Sequence, residues 1–448
     1  MWHYQLSYSI FPKIQSLFVP LYRPDKGHEM LKITVCSLIL TGLCLSQSTL
    51  ANAPQSDNAV TRSLWLEAHN PLPTERTNAS TLIPLHLLEP LLGDKPNTPL
   101  LTEIDQQAVA NQWLDTDHNG APDTLLVIAD YRANASIRIH ISRPIHGQLA
   151  LQYPSLTQAE MGLRLGGTAN AEGVYSGGNY YPVQQMTLPP EHKIGDKLFK
   201  YEGFGWESDR IAYRFYFDQR GLVDIFGKRI PDLVLGRVGL DKGDYHTLSD
   251  WGMDVLKVGT SLGLGGVAAW RAGKVQHPAP KTQQVQLNSG PLESSAHLTQ
   301  AGWKLGKDTL SLTRTFSIQA HAYLTHTQVT SSKPLTELAI GIVKHNVSKL
   351  EYLKSDSEWN YLATFGQQSL GNDGLGMMLF FRHKDLQHTT RDEFNELVIL
   401  KMNKTRDYYF GARWEGETPT ALTPAAFSAF LEQTRAELNN PIRVSPLK

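Results

Sequence analysis

Short strand-like stretches are the sequence feature that most constrains this fold. Thr309–Ile318, Ala322–Val329 and Leu335–Lys344 are examples, and turn residues separate each stretch from the next. In Thr309–Ile318 the apolar residues recur at every second position. Alternation with a period of two places the apolar side chains on one face of a strand. Because no long amphipathic helix interrupts these stretches before Gly416, the sequence predicts a mainly β fold, built as a large antiparallel β-sandwich and not as a doubly wound sheet.

A helix is predicted at the C-terminus. Thr423 is a typical N-cap residue, and Pro424 suits the first helical turn. We expect the helix to pack on the outside of the sandwich. Its apolar stripe consists of Phe427, Phe430, Leu431 and Leu438.

The N-terminal residues have the layout of a processing segment. A lysine, an apolar run from Ile33 to Leu45 and the small residues from Ala51 to Ala53 predict a secretory signal peptide over residues 30–53. The run is shorter than the roughly 20 residues that a membrane span requires. Residues 1–29 are interpreted as an extension that is not native. We therefore expect a periplasmic or secreted protein, cleaved near Ala53, with no membrane insertion afterwards.

Cysteine usage and charge exclude several kinds of function. Both cysteines, Cys36 and Cys44, lie inside the predicted signal peptide. The mature chain would then have no thiol catalysis, no disulfide and no cysteine-bound metal. The formal net charge is −1, which offers no field for nucleic acid or for an anionic membrane surface. Any site for an anion must therefore be local.

Composition divides the remaining chain into three parts. Residues 54–143 are predicted to form a small β-sandwich domain. Residues 144–192 are rich in Gly, Ser, Asn, Pro and Tyr, which is typical of a domain junction or a long loop. Residues 193–448 are predicted to form a large β-sandwich domain of the supersandwich, mutarotase-like kind, and this domain carries the site.

An acidic loop in the first part has the spacing of a calcium loop. Asp115, Asp117, Asn119 and Asp123 place short oxygen ligands around a glycine turn. The bidentate glutamate that ends an EF-hand loop is absent. The alternatives are a structural calcium site and an Asx-rich turn that satisfies its own side chains. No cofactor is required by the rest of the sequence.

The densest group of charged and aromatic residues lies between Gly203 and Gly266. Within Asp209–Asp218 the residues alternate, so that Arg210, Arg214 and Tyr216 are expected on the opposite face from the apolar positions. Two guanidinium groups beside a phenol suit an anionic ring such as a sugar acid. An acidic oligosaccharide is therefore the expected ligand.

A second group follows about thirty residues later. Tyr245 and His246 offer titratable groups, and Asp250 and Trp251 come soon after. If this segment were a strand, Tyr245 and His246 would point to opposite sides. Trp206 and Trp251 are candidates for stacking on sugar rings.

Arg314 is the last candidate for the substrate site. It has the same strand parity as four apolar neighbours, so that its guanidinium is expected to be buried. A buried guanidinium needs an anion, supplied either by the protein or by a ligand.

The chain resembles a bacterial family of unknown function, family four-eight-six-one of the domains of unknown function. The resemblance rests on YEGFGWESDRIAYRFYFDQRGLVDIFGK, YHTLSDWGMDVLKVGTSLGLGG, LAIGIVKH and LATFGQQSLGNDGLGM, and it extends from about Asp115 to the C-terminus. The resemblance implies a secreted protein that is associated with the degradation of uronic-acid polysaccharides such as pectin, ulvan and alginate. It implies a carbohydrate-active role, and we favour β-elimination by a lyase or dehydratase. It brings no established set of catalytic residues.

Elimination from a uronide requires a cation at the carboxylate, a base for the neighbouring proton and an acid for the departing oxygen. Arg210 and Arg214 are predicted to bind the carboxylate by paired hydrogen bonds. His246 is predicted to be the base, because imidazole groups ordinarily titrate near neutral pH. Tyr245 or Tyr216 is predicted to donate the proton, or to act as the base if the arginines lower its pKa.

Two other classes of function remain open. The first is a glycoside hydrolase, for which Glu207, Asp209, Asp250 and Asp254 could supply a carboxylate pair. The second is a carbohydrate-binding protein without catalysis, for which aromatic rings and arginines would suffice. An epimerase or mutarotase ranks below these.

Overall fold

The computed structural model describes residues 63–92, 99–144, 153–241, 243–417 and 422–447. The predicted extension, signal peptide and cleavage position lie outside these residues. Within them the chain is mainly β, and every ladder between its strands is antiparallel, which confirms the predicted fold class. None of the helices in this part of the chain is long and apolar enough to cross a membrane.

The largest element is a nine-stranded sheet. Its order does not follow the chain, because the strand Thr405–Trp414 is inserted between two earlier ones. From one edge to the other the strands are Gln185–Thr187, Thr282–Asn288, Glu293–Leu305, Asp308–Gln319, Leu324–Ser331, Thr405–Trp414, Gly374–Arg382, Trp359–Gln367 and Ser348–Tyr352.

Two five-stranded sheets pack against the nine-stranded sheet. We call the first the site sheet, and its strands are Gly252–Asp254, Val223–Lys228, Ile211–Tyr216, Gly203–Ser208 and Thr157–Glu160. We call the second the flanking sheet, and its strands are Lys274–Gln276, Leu264–Arg271, Glu337–Val343, Asn395–Lys401 and Leu386–Arg391.

The main core lies between the nine-stranded sheet and these two sheets. Tyr213 and Phe215 of the site sheet are fully buried there, together with Phe316 and Phe410 of the nine-stranded sheet. The alternation predicted from the sequence is the reason, because it sends one set of side chains from each strand into this layer. The remaining side chains of the site sheet point away from the main core and form the outer face of that sheet.

A second pair of sheets forms a small sandwich with its own core of buried apolar residues. The last strand of the chain joins the first one here, since Arg443–Pro446 pairs with Ser63–His69. The five-stranded member contains Arg443–Pro446, Ser63–His69, Ser136–Ser142, Leu101–Ile104 and Gln107–Val109, and the three-stranded member contains Arg76–Pro84, Thr124–Tyr131 and Asn111–Leu114.

Shorter elements connect the sheets. Two small hairpins pair Gly162–Leu165 with Asn179–Pro182 and Thr168–Ala169 with Tyr175–Ser176. A four-residue α-helix spans Glu89–Leu92. The 3-10 helices are Leu85–Leu87, Lys200–Glu202, Leu235–Arg237, His383–Asp385 and Glu415–Glu417.

The C-terminal helix spans Pro424–Asn439, as predicted. Thr423 caps it, since its hydroxyl accepts a hydrogen bond of 3.1 Å from the backbone N–H of Ala426. Phe427 is fully buried and stacks on Phe365 at a ring-centroid distance of 5.2 Å. The helix therefore covers part of the outer face of the nine-stranded sheet, on the side away from the main core.

Candidate functional site

The outer face of the site sheet holds a buried group of charged side chains that we call the arginine cluster. It consists of Arg214, Asp224, Asp254, Tyr216 and Tyr245. Arg214 lies directly opposite Asp224 in the strand register, and Asp254 belongs to the next strand of the sheet. Three neighbouring strands thus place one guanidinium beside two carboxyl groups.

The contacts within the cluster are short and numerous. Arg214 Nη2 donates to Asp254 Oδ2 at 2.8 Å and also to Asp224 Oδ2. Its other terminal nitrogen, Nη1, donates to the hydroxyl of Tyr245 at 3.0 Å. The hydroxyl of Tyr216 accepts from Arg214 and donates to Asp224 Oδ2 at 2.9 Å. The guanidinium is therefore already surrounded by protein oxygens.

The cluster holds two carboxyl groups for one guanidinium, and all three side chains are at most 2% exposed. Burial raises the pKa of Asp254 well above its usual range, and the nearby Asp224 raises it further, although Arg214 opposes both effects. A protonated Asp254 leaves the buried cluster close to electrical balance, because two carboxylates beside one cation would carry an uncompensated charge.

The two phenols of the cluster remain protonated. Burial raises the pKa of Tyr216, and the carboxylate of Asp224 raises it further. Burial also raises the pKa of Tyr245, although Arg214 acts in the opposite direction. The conditional prediction of a tyrosine base with a lowered pKa is therefore wrong, because burial and carboxylates outweigh the guanidinium at both positions. Each phenol is suited to donate a proton.

His246 lies at the exposed edge of this cluster, with 49% of its side chain accessible. Its Nδ1 is 2.7 Å from Asp244 Oδ1, and its Nε2 is 3.7 Å from Asp254 Oδ2. The second distance is longer than a hydrogen bond, so that Nε2 is not committed to a protein partner. The ring of Tyr245 lies beside it, with centroids 4.4 Å apart.

Tyr245 and His246 share one side because their segment is a turn and not a strand. The carbonyl of Asp244 accepts a hydrogen bond from the backbone N–H of Thr247 at 3.0 Å. The Asp244 carboxylate also accepts from the backbone N–H of His246 at 3.0 Å. The chain thus curls around this aspartate, and the opposite orientation that a strand would impose does not apply.

Arg210 does not join the cluster. It precedes the strand Ile211–Tyr216, and 42% of its side chain is exposed. Its carboxylate partner is Asp209 at 3.4 Å, and Asp209 also bonds to His321 at 2.9 Å. The expected pair of arginines on one strand face is thus reduced to Arg214 alone, since the strand begins one residue too late to align Arg210 with it.

The two tryptophans do not fit the sugar-stacking role that was predicted for them. Trp206 is fully buried in the main core, where it stacks on Phe316 at 4.7 Å and donates to Thr325. Trp251 is 7% exposed and packs against Phe226 below the loops that cover the site sheet. Neither ring offers a face to a ligand.

Arg314 and Asp250 also lie apart from the arginine cluster. Arg314 is fully buried as predicted, but it projects from the nine-stranded sheet into the main core. It donates to the carbonyl of Gly221 and to the side-chain oxygen of Gln300, neither of which is an anion. Burial lowers the pKa of Arg314 to about 10. The side chain of Asp250 is 79% exposed, and its cationic partner is Arg237 at 3.5 Å.

The four carboxylates considered for a hydrolase pair are separated by their partners. Glu207 is bound to Lys228 at 2.8 Å and to backbone N–H groups of the loop that follows. Asp209 is bound to His321, Asp254 belongs to the arginine cluster, and Asp250 is at the surface. Among the described residues, no hydrogen bond or ion pair joins any two of these four to a common partner.

Sequence reasoning missed four residues that belong to this face. Asp224 is the direct partner of Arg214. Glu160 bonds to Lys200 Nζ at 2.7 Å and to the hydroxyl of Tyr201. Burial raises the pKa of Tyr201 well above its usual value, and Glu160 adds to the effect. A signal for Asp224 is visible in the sequence, because it alternates with Val223 and Ile225 as Arg214 alternates with its apolar neighbours.

The acidic loop of the small sandwich satisfies its own side chains. Asp115 accepts from the backbone N–H groups of Asn119 and Gly120, and Asp123 accepts from the N–H groups of Thr116 and Asp117. Carboxylate oxygens of Asp115, Asp117 and Asp123 nevertheless lie within 4.8 Å of one another. The side-chain amide of Asn119 donates to Asp117 Oδ2 at 2.9 Å. Calcium binding at this loop stays a prediction of the residue spacing.

Calcium should raise the midpoint of thermal unfolding by about 2 °C or more if this loop binds it in the native state only. The double variant Asp115→Asn/Asp117→Asn should remove the response, whereas Asp356→Asn, at an exposed aspartate of the large sandwich, should keep it. Differential scanning calorimetry with calcium, magnesium and a chelator measures the effect. An equal response to both cations, or none to calcium, would contradict the prediction.

The fold and the cluster define a class of protein: an antiparallel β-sandwich in which a buried arginine–dicarboxyl group supports an exposed histidine and a half-buried tyrosine. The chain belongs to the family described as domain of unknown function DUF4861, whose family model matches residues 68–444. It is also similar to a protein of Formosa agariphila described as uncharacterized protein P7. The two are 21% identical over 267 residues, which are 54% of this chain and 67% of the relative.

The solved structures that match this chain share little sequence with it. A protein of glycosyl hydrolase family 38 and an α-mannosidase, both from Enterococcus faecalis, each match with a TM-score of 0.43 and 9% identity over 86% of this chain. The chain spans 47% and 46% of their respective lengths. A structure from Klebsiella pneumoniae that is assigned to the aldose 1-epimerases matches with a TM-score of 0.32 and 9% identity, over 64% of this chain and 97% of its own.

Proposed function

We propose that this chain is a carbohydrate-active enzyme that performs β-elimination, as a lyase or dehydratase, on uronic-acid-containing oligosaccharides. One observation carries the proposal. The imidazole of His246 and the phenol of Tyr245 lie side by side, with centroids 4.4 Å apart, at the exposed edge of the arginine cluster. A base and an acid next to each other are the pair that elimination needs.

The reaction removes one proton and one oxygen substituent from neighbouring carbons. The base takes the proton from the carbon beside the carboxylate, and the electrons of that C–H bond form the new double bond. The bond from the next carbon to its oxygen then breaks, and the acid protonates this oxygen, which leaves as water or as an alcohol. His246 and Tyr245 are the catalytic residues, and each exchanges one proton.

His246 is suited to be the base. When its Nδ1–H donates to Asp244 at 2.7 Å, its Nε2 carries the free lone pair. Nε2 lies 3.7 Å from Asp254 Oδ2. The Asp244 carboxylate at Nδ1 orients the ring and stabilises the imidazolium that forms once the proton is taken, so that Asp244 acts as a positioning residue.

Tyr245 is suited to be the acid. Its oxygen accepts a hydrogen bond of 3.0 Å from Arg214 Nη1, so that its own proton is free to be donated to a ligand. Burial raises its pKa, which keeps the phenol protonated at neutral pH. Once the proton has left, the guanidinium of Arg214 stabilises the phenolate.

The substrate carboxylate needs a cation that the cluster does not offer, because Arg214 is already bound to two carboxyl groups. We assign this role to Arg237. Its side chain is 44% exposed, and its carboxylate partner Asp250 lies at the long distance of 3.5 Å. The neighbours Leu235 and Val238 pack in the same apolar cluster as Tyr245. A substrate carboxylate can thus replace Asp250 at this guanidinium.

We also propose that the enzyme acts in the periplasm or outside the cell. The support is the signal-peptide layout of residues 30–53. The N-terminal sequence of the exported protein should begin close after Ala53. An exported protein that still begins at Met1 or Met30 would contradict this.

The test of the reaction is a panel of oligosaccharides from pectin, alginate and ulvan incubated with the full chain. Elimination produces a conjugated double bond, so that ultraviolet absorbance should rise with time. Mass spectrometry should show loss of water for a dehydratase or cleavage for a lyase. New reducing ends without absorbance would favour the hydrolase, and binding without any mass change would favour a carbohydrate-binding protein.

A further inference from the structure

The outer face of the nine-stranded sheet contains a polar groove. In the strands Glu293–Leu305 and Leu324–Ser331 the outward side chains are mostly half-buried, and in Asp308–Gln319 between them they are half-buried over most of the strand. In the neighbouring strand Thr282–Asn288 the outward side chains are exposed. The middle of this face is therefore shielded although it carries polar residues.

Two elements shield it from opposite sides. The acidic loop of the small sandwich places the ring of His118 edge-on against His297, with centroids 4.9 Å apart. On the other side, the C-terminal helix places Phe430 against Tyr323, with centroids 5.7 Å apart. Tyr409 packs against the apolar cluster below the helix. The loop and the helix are thus the walls, and the sheet between them is the floor.

The floor is formed by two adjacent rows of side chains on the same face. One row runs through the cross-strand pairs His297–Thr315, Thr315–Gln328 and Gln328–Asp407. The other runs through Ser295–Ser317, Ser317–His326 and His326–Tyr409. These eight side chains offer hydroxyl, imidazole, amide, carboxylate and phenol groups, and none of them is aliphatic or a lysine.

An aromatic and charged corner lies at the helix end of the floor. The rings of His326 and Tyr409 lie 4.7 Å apart, and 37% of the His326 side chain is exposed. Arg382 bonds to Asp407 at 3.1 Å and covers the ring of Trp359 at 4.4 Å. Burial favours the protonated form of Asp407, but the nearby imidazole of His326 and the hydrogen bonds from Arg382 hold the pKa of that carboxyl well below its usual range.

Several groups in this corner are free to bind a ligand. His326 Nε2 lies 3.7 Å from Asp407 Oδ2, which is beyond hydrogen-bond range. Burial raises the pKa of Tyr409 to about 12, which keeps its phenol a donor. Gln328 makes no side-chain hydrogen bond within the described ranges. A half-buried amide without a partner gains a favourable contact when a ligand supplies one.

We propose that this groove is a saccharide-binding site. A sugar presents hydroxyl groups that can donate and accept, which matches the floor, and a C–H face that can lie on the His326–Tyr409 corner. An apolar partner would leave the polar floor unpaired at a cost. A polyanion would meet Asp407 and Glu293, and the cation beside Asp407 is already occupied by it. The occupant that fits is therefore a neutral stretch of a sugar chain.

The groove is independent of the proposed elimination site. It lies on the outer face of the nine-stranded sheet, whereas the arginine cluster lies on the outer face of the site sheet, and the main core separates the two. The two proposals can therefore fail separately.

The experiment is isothermal titration of the full chain with cellotetraose, mannotetraose and tetragalacturonate. At least one neutral tetrasaccharide should bind. Gln328→Ala and His326→Ala should each raise its Kd about tenfold, which corresponds to the loss of roughly one hydrogen bond. Gln284→Ala, which removes an exposed outward amide from the neighbouring strand, is the matched control and should leave Kd unchanged, as should His246→Gln.

Two results would overturn the proposal. One is the absence of heat with both neutral tetrasaccharides, whether or not tetragalacturonate binds. The other is binding that is unchanged in Gln328→Ala and His326→Ala, or that is lost in His246→Gln instead. Because Gln328 has no protein partner to lose, its variant tests the site even if His326→Ala does not fold.

Discussion

Replacing His246 with glutamine should lower the rate of elimination roughly 100- to 10,000-fold, the range typical of a lost general base. Glutamine keeps the size and polarity of the side chain but cannot accept the proton. The ring of His246 is exposed, and within the described residues its one side-chain hydrogen bond goes to Asp244 at the surface, so that the free energy of unfolding should change by less than about 1 kcal/mol. The rate of ultraviolet absorbance increase on oligouronides measures the activity, and urea denaturation measures the stability.

The matched control is His388→Gln, at an exposed histidine on the edge strand of the flanking sheet. This variant should leave the rate of elimination and the free energy of unfolding unchanged. Tyr245→Phe should lower the rate by a comparable factor, because the ring stays in place and only the proton donor is removed. If His246→Gln retains the full rate, or if Tyr245→Phe is as active as the wild type, the proposed acid–base pair does not operate.

The alternation of residues in the strand Ile211–Tyr216 allowed the orientation of Arg214 to be predicted from sequence. The apolar positions Tyr213 and Phe215 face the main core, and Arg214 faces the opposite side, as the period of two requires. The prediction failed for Arg210, because the position at which a strand begins depends on pairing with its neighbours. Parity alone does not carry that information.

The partners of Arg214 could not be predicted from sequence. Asp224 reaches it through the register of one strand pair, and Asp254 reaches it through the next pair. Registers between strands are set by tertiary packing and turn geometry. The same reason explains why the sugar-stacking role predicted for Trp206 and Trp251 does not fit. Whether an aromatic side chain on a strand faces a core or a ligand depends on which sheet packs over it.

The groove on the nine-stranded sheet could not be predicted from sequence for a related reason. Its floor draws two residues from each of four strands, and Asp407 of one strand lies more than one hundred residues beyond His297 of another. No segment of the sequence is unusual by itself. The walls come from the acidic loop and the C-terminal helix, both of which were predicted, but their position over the sheet is a property of the tertiary structure alone.

Replacing Arg214 with methionine should cost about 3–5 kcal/mol of unfolding free energy at pH 8, because it leaves two buried carboxyl groups without their cation. Methionine preserves much of the side-chain length, so that the loss reports mainly on charge. Urea denaturation measures it. Arg210→Gln is the matched control, since its guanidinium is 42% exposed and its ion pair is weak, and it should cost less than about 1 kcal/mol.

The pH dependence separates lost charge from lost packing. Without Arg214 the pKa of Asp254 in the folded state lies further above its unfolded value, which is near 3.9, because the cation that opposed the effect of burial is gone. A raised folded-state pKa means that the folded state binds the proton more tightly than the unfolded state does. The loss of unfolding free energy therefore grows as the pH rises above the unfolded-state pKa. The deficit relative to the wild type should therefore be smaller at pH 5 than at pH 8.

Adding Asp224→Asn and Asp254→Asn to Arg214→Met should recover part of the loss. A deficit that is equal at both pH values and unaffected by the asparagines would mean that the guanidinium acts by filling space, and the electrostatic account of the cluster would then be wrong.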